Sequence, residues 1–288
     1  MREKLSMAAA QELAQQHGLK RIDTPKPFAE YLRSVWAYRV FTYQYAVARI
    51  ISGTARNRLG LLWEFLNPLL SAGMYYIAFG LLLGTKKDSP NFILFLIAGL
   101  FTWHQFNQSF NSTAKSLLQS RQLIENNVFP RAVVPLSAGL QAGIRSFPVV
   151  LMIYPMALIT GEEITWHWVL LPIAMLLAVL FGVSVGLLIS RLLARIPDLV
   201  QTIPLVLRLL FFTSGIFFSV EQRFDTAPAL IQTIALNSPT ALLLNTTRSI
   251  FLDDIAPSST QLLILISVTL LMLLLGLIVY WRSEQRNV

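Results

Sequence analysis

Apolar positions along this chain gather into six long runs separated by polar stretches, at roughly 66–84, 92–110, 133–160, 168–190, 199–220 and 260–281. A helix rises ~1.5 Å per residue and the hydrocarbon layer of a bilayer is ~30 Å thick, so one crossing takes ~20 mostly apolar residues. Each run is long enough, or nearly so. The pattern therefore predicts an all-α integral membrane protein with six transmembrane helices over 66–282. Ahead of them, Phe28, Leu32, Val35, Trp36, Val40, Tyr43, Val47, Ile50 and Ile51 recur at three- and four-residue spacing, with Arg33, Arg39 and Arg49 between them. That periodicity predicts an amphipathic helix lying in the membrane interface, within a segment 28–65 that includes its lead-in. Residues 1–27 contain no apolar core of signal-peptide length and run to Pro25 and Pro27. They read as a cytoplasmic tail, and 283–288 as a second one.

Two connections are more than turns. Residues 111–131 are polar, helix-compatible over 115–125, and closed by Phe129-Pro130-Arg131 and then Pro135. Residues 221–258 contain two apolar pieces, 227–236 and 240–252, each too short to cross upright. Pieces of about 10–14 apolar residues suit re-entrant or interfacial positions, and backbone at membrane depth must be helical or covered by protein. An outer re-entrant helical hairpin between spans five and six is the expectation. No internal repeat is evident, so a symmetric pore would take its other half from a second copy of the chain.

Composition agrees, with 55% of the 288 residues hydrophobic and 13% charged, against ~25% charged in soluble domains. A net charge of +8 in a soluble protein would point to nucleic acid, but its distribution gives a better reading. Residues 1–65 hold ten Lys/Arg, whereas the opposite face holds four, Lys86, Lys87, Arg223 and Arg248, beside seven acids. By the positive-inside rule both termini face the cytoplasm, membrane lipids are a secondary contact, and no nucleic acid partner is expected. Cysteine is absent and His17, His104 and His167 stand far apart, which removes disulfide, thiol and Cys-ligated metal chemistry. No G-x-x-x-x-G-K-[ST] loop occurs; Gly53 and Gly60 have the wrong spacing and lack the lysine. The chain is read as carrying no cofactor of its own, any ATP and magnesium belonging to a partner subunit.

Polar groups inside the runs are the candidate chemistry. The second run sets Trp103, Phe106 and Phe110 among His104, Gln105, Asn107, Gln108 and Asn111. Carbohydrate presents apolar C–H faces as well as hydroxyls, so aromatic platforms interleaved with amides suit a channel for it. Hydrogen bonding between helices is an equal reading of the same amides. Tyr75, Tyr76 and Phe79 in the first run, and Phe211, Phe212, Phe217 and Phe218 in the fifth, extend the aromatic set, with packing or an interfacial belt as the alternative. Arg145 and Arg208 fall inside the third and fifth runs, where a charge costs ~2.5–3.5 kcal/mol. Either they lie along the path of an anionic lipid pyrophosphate or they reach a nearby boundary. No acid lies within the six runs. The adjacent pairs Glu162-Glu163 and Asp253-Asp254 have no evident basic or nucleophilic partner, so solvated loop charge, not catalysis, is their reading.

The segments Leu59-Gly60-Leu61-Leu62-Trp63 and Asn67-Pro68-Leu69-Leu70 resemble the permease subunits of ABC-2 type polysaccharide exporters, of the Wzm and TagG kind. The resemblance continues at Phe129-Pro130-Arg131 with Pro135-Leu136-Ser137, at Pro197-Asp198 into Ile203-Pro204, through the aromatic stretch 211–218, and at Pro239 with Arg248 nine residues on. It covers about 30–285. Two positions depart from the family pattern, Pro197 where an arginine is usual and Asn245 where a glutamate often stands. The resemblance implies two permease copies, two copies of a cytoplasmic ATPase, and export of a lipid-linked polysaccharide across a bacterial cytoplasmic membrane. It also implies a coupling helix in 111–131, where Arg121, Glu125, Asn126 and Asn127 are the candidate contacts to the ATPase. It favours an aromatic-lined channel drawing on Tyr75, Phe79, Trp103, Phe106, Phe110, Phe211 and Phe212, with Arg208 and Arg145. The alternatives are an ABC-2 permease for a small drug or lipid and a membrane-bound glycosyl- or phosphotransferase.

Overall fold

Where each apolar run stops being helical is decided by proline, glycine and polar residues within it. The computed structural model describes residues 27–54, 62–82, 91–127, 129–252, 255 and 258–285. The tail 1–26, the lead-in 55–61 with Leu59-Gly60-Leu61, and Lys86, Lys87, Asp88, Asp253 and Asp254 lie outside them. Regular structure among the described residues is all helical, without a strand.

Among the described residues, four helical segments are long and apolar enough to cross a membrane: Leu62–Leu82, Val133–Ile159, Trp166–Arg195 and Ser259–Gln285. The first comprises helix α3, Leu62–Tyr75, and a π-helical continuation over Tyr76–Leu82. The third apolar run is divided into α6, Val133–Leu151, and α7, Ile153–Ile159. Pro155 explains the division, because its ring crowds the carbonyl of Leu151. The fourth run opens with a 3₁₀ turn, Trp166–Leu170, and continues as α8, Leu171–Arg195. Arg191 and Arg195 are therefore helical, the helix continuing five residues past the expected end of the fourth run at 190. Helix α13, Ser259–Gln285, likewise extends beyond the expected end of the sixth run at Trp281.

The second and fifth runs differ from these four. Helix α4, Phe92–Gln119, has 28 residues and so has ample length. Its polar positions between 104 and 111 lower its average hydropathy. The fifth run is broken into a 3₁₀ turn, Pro197–Gln201, and α9, Ile203–Thr213. Eleven residues rise only ~16 Å, and the helix ends at Ser214-Gly215, with Gly215 at φ +80°, a left-handed conformation that favours glycine. A continuous helix over 199–220 is thus corrected to a short helix followed by a turn.

The interface segment is two helices, α1, Phe28–Ala37, and α2, Arg39–Thr54, where one was expected. Tyr38 stands at the junction and turns its ring onto Phe41 and Phe129. In the connection 111–131, the first nine residues belong to α4, and the separate helix is α5, Arg121–Asn126. Beyond Gly215 come α10, Val220–Arg223, then α11, Ala229–Leu236, and α12, Pro239–Arg248. Ser238 caps α12 by accepting from the Ala241 N–H at 3.2 Å.

Helix α4 is the centre of the core, buried along most of its length and packed chiefly against α8 and α6. Small residues permit the approach. A side chain at Gly182 of α8 would put its Cβ 2.7 Å from the Phe106 carbonyl oxygen, so the two backbones touch as helices do in membranes.

Candidate functional site

Three helices expose a shared lining. Asn67, Ser71 and Tyr75 repeat every four residues along α3, and Leu100, Trp103, His104, Asn107 and Asn111 share one face of α4. Pro204, Leu207, Arg208, Phe211 and Phe212 complete the wall from α9. Together with Pro68 and Phe101 they bound a groove of about 840 Å³. Proline at positions 68 and 204 removes a backbone donor from each flanking helix near the groove.

The lining is graded along its length. At one end are amides and hydroxyls: Asn67, Ser71, Asn107 and Asn111, the last donating to the Asn107 side-chain oxygen at 2.6 Å. At the other end are rings, with Phe211 lying 5.4 Å from Tyr75, 5.6 Å from Trp103 and 5.3 Å from Phe212 between centroids. Arg208 is the single charged side chain among the lining residues. The Nε2 of His104 is buried without a hydrogen-bond partner among the described residues. Buried polar atoms are ordinarily met by protein or water.

The groove collects Tyr75, Trp103, Arg208, Phe211 and Phe212 from the sequence-derived candidates. Phe106 and Phe110 do not line it. They turn towards α8, Phe106 stacking on Phe181 at 5.4 Å and on Phe110 at 6.1 Å. Phe79 lies one helical turn past the lining and stacks on Phe217 at 4.0 Å. Arg145 is also elsewhere, forming an ion pair with Glu64. Apolar patterning starts the first run at about 66, but α3 starts at Leu62, so Glu64 sits in its first turn and the third-run arginine has an acid to meet. Asn67, Ser71, Pro204 and Leu207 were not among the candidates, although their helical spacing from Tyr75 and Arg208 gives the signal.

The candidate coupling residues are surface groups. Arg121 and Glu125 pair at 2.8 Å, one turn apart and exposed, and the hydrogen bond and charge of Glu125 raise the Arg121 guanidinium above its ordinary value. Asn126 and Asn127 are exposed, Asn127 donating to the Leu123 carbonyl at 3.0 Å. Behind them the segment rests on α2. Phe129 meets Phe41 at 5.7 Å, Tyr45 shares a hydrogen bond with Ser120, and Arg49 donates to Gln119 at 3.1 Å.

A helical membrane chain with a polar and aromatic groove between its helices has the form of a transport subunit, and comparison with known proteins specifies the class. The model of the ABC-2 type transporter family matches residues 42–252, and the chain belongs to that family. Curated relatives narrow the likeness. The chain is 30% identical to two proteins named O-antigen export system permease protein RfbA from Klebsiella pneumoniae, over 68% of this chain and 74% of each. It is 26% identical to a protein of the same name from Myxococcus xanthus, over 84% of this chain and 92% of that one. The resemblance to exporter permeases drawn from the motifs is borne out.

Proposed function

We propose that this chain is the channel-forming permease subunit of an exporter that moves a lipid-linked polysaccharide across a bacterial cytoplasmic membrane, driven by ATP hydrolysis on a separate nucleotide-binding subunit. The observation that carries the reading is the groove, where ring faces and amides are combined without a carboxylate. Sugar C–H faces stack on the rings and hydroxyls bond the amides, each weakly, so that a polymer is guided without being held. Arg208 meets the phosphate of the lipid carrier. The relatives named as O-antigen export permeases support the substrate class.

In this reading two copies face one another and each groove supplies half of the channel, the second copy satisfying or hydrating groups such as His104. Helix α4 is the second crossing, and α9 with its flanking turns the fifth, giving six. Helices α11 and α12 dip into the outer leaflet, and both termini are cytoplasmic. Helix α5 docks on one of two copies of the ATPase, which holds ATP and magnesium. A helix two turns long, backed by aromatic contacts to α2, can pass a push from the ATPase to α4 as a lever.

The test is reconstitution of the chain with its candidate ATPase in lipid nanodiscs. ATP hydrolysis that needs both proteins and changes with added lipid-linked glycan is the expected result. A chain that forms no ATPase complex, or that processes the glycan unaided, contradicts the reading.

A further inference from the structure

Arg248, at the end of α12, is the largest fully enclosed side chain of the described structure, 1% exposed. No carboxylate pairs with it among the described residues. Its guanidinium is satisfied by neutral oxygens. Nε donates to the Phe95 carbonyl at 3.1 Å, Nη1 to the Gly215 carbonyl at 3.0 Å and to Asn245 Oδ1 at 3.4 Å, and Nη2 to the Ile216 carbonyl at 2.9 Å. The group also lies 3.4 Å from the centroid of the Phe95 ring. Gly99 makes room, since a Cβ there would stand 2.6 Å from Nη2.

The two carbonyls from 215 and 216 belong to the turn that ends α9. Broken backbone at membrane depth is tolerated only where other groups satisfy it, and here one arginine supplies the donors. The same turn carries Phe217, whose ring meets Phe79 at 4.0 Å, Tyr75 at 5.0 Å, Phe211 at 5.2 Å and Phe212 at 5.8 Å. The groove ends at this level on all three helices. Its lining stops at Tyr75 on α3, at Leu100 on α4 and at Phe212 on α9, while Phe79, Phe95 and Phe217 lie beyond.

We propose that Phe217 is the ring that closes the groove at its α11–α12 end, and that Arg248 is the positioning residue that sets it, by holding the Gly215 and Ile216 carbonyls from which the ring projects. A movement of α12 is thereby passed directly to the closing ring. The proposal rests on the transport reading above, and its test separates the two.

The permease–ATPase complex is reconstituted in liposomes loaded with radiolabelled raffinose, a neutral trisaccharide, and passive release is followed without ATP. F217A is expected to raise release about tenfold over wild type, as loss of an apolar constriction does. R248Q is expected to do the same, and so is G99A, which displaces the guanidinium while keeping its charge. Because Arg248 acts through Phe217, the double variant F217A/R248Q should leak no more than F217A alone, a non-additivity that general loosening would not give. Leu176→Ala, on the outer face of α8, serves as the control. If R248Q does not assemble with the ATPase, G99A decides. Assembled G99A or R248Q complexes as tight as wild type, or leaks that add in the double variant, overturn the role of Arg248. A tight F217A complex that still exports glycan overturns the closing ring alone, whereas a wild-type complex that exports nothing overturns the transport reading.

Discussion

Glu284, near the end of α13, accepts a hydrogen bond from the backbone N–H of Arg131 at 2.6 Å and from the Tyr31 hydroxyl at 3.3 Å. One carboxylate thus joins three parts of the sequence: the last helix, the first interface helix, and the Phe129-Pro130-Arg131 segment that follows α5.

Replacing Glu284 by Ala leaves two enclosed donors without an acceptor, at about 1–3 kcal/mol each. E284A should lower the thermal midpoint in nanodiscs by more than Y31F, which removes one donor and leaves the carboxylate its Arg131 bond. Burial, with the Glu284 charge nearby, pushes the Tyr31 phenol above its ordinary value. A phenol raised on folding stabilises fully below ~10 and loses that contribution as pH climbs beyond it. Wild type should therefore weaken more than Y31F does as pH rises above ~10.

The pair of Glu64 and Arg145 makes a second prediction. E64Q strands a partly buried guanidinium and should cost roughly 1–3 kcal/mol, the range for a lost hydrogen bond to a charged group. The swap E64R/R145E should recover part of the loss in the same unfolding measurement. No recovery would show that the pair is incidental to packing.

Trp103 and Phe106 are three residues apart on α4 and have different surroundings. W103A removes a buried ring and should cost about 3–5 kcal/mol of stability, but because it opens the lining it should also reduce glycan-dependent ATP hydrolysis several-fold per folded complex. F106A removes a ring from the α4–α8 contact and should cost about 3–5 kcal/mol of stability, with any loss of activity following from lower protein yield. Activity and melting measured side by side on the two variants check the division.

At the opposite surface, Arg121 and Glu125 pair with no other charged group among the described residues, only with each other across one exposed turn. R121A and E125A should leave the thermal midpoint unchanged and reduce ATP hydrolysis by the assembled complex. Equal hydrolysis by wild type and both variants would remove α5 from the coupling route.

The helical class and two of the three short helices after Gly215, α11 and α12, were legible because apolar runs and their lengths mark helical segments directly. The division between Trp103 and Phe106 was missed: the sequence candidates group Trp103, Phe106 and Phe110 as one lining, although positions 100, 103, 104, 107 and 111 share a helix face that 106 and 110 do not. The Glu64–Arg145 pair was hidden by four residues of boundary error at the start of α3. Arg248 was hidden for a different reason. Charge counting assigns an arginine after a proline-rich segment to solvent, and nothing in periodicity says that a turn after Thr213 will turn two carbonyls towards it. Tertiary geometry alone brings 95, 215, 216 and 248 together.

The central claim is that the face carrying Ser71 and Asn107 is the path of the cargo. The chain has no cysteine, so single cysteines report position cleanly. In nanodiscs with the ATPase, S71C and N107C should react with a water-soluble maleimide and be protected by lipid-linked glycan, while L176C on the outer face of α8 stays unreactive. Unreactive S71C and N107C, or reaction that glycan leaves untouched in a complex that still exports, would contradict the account.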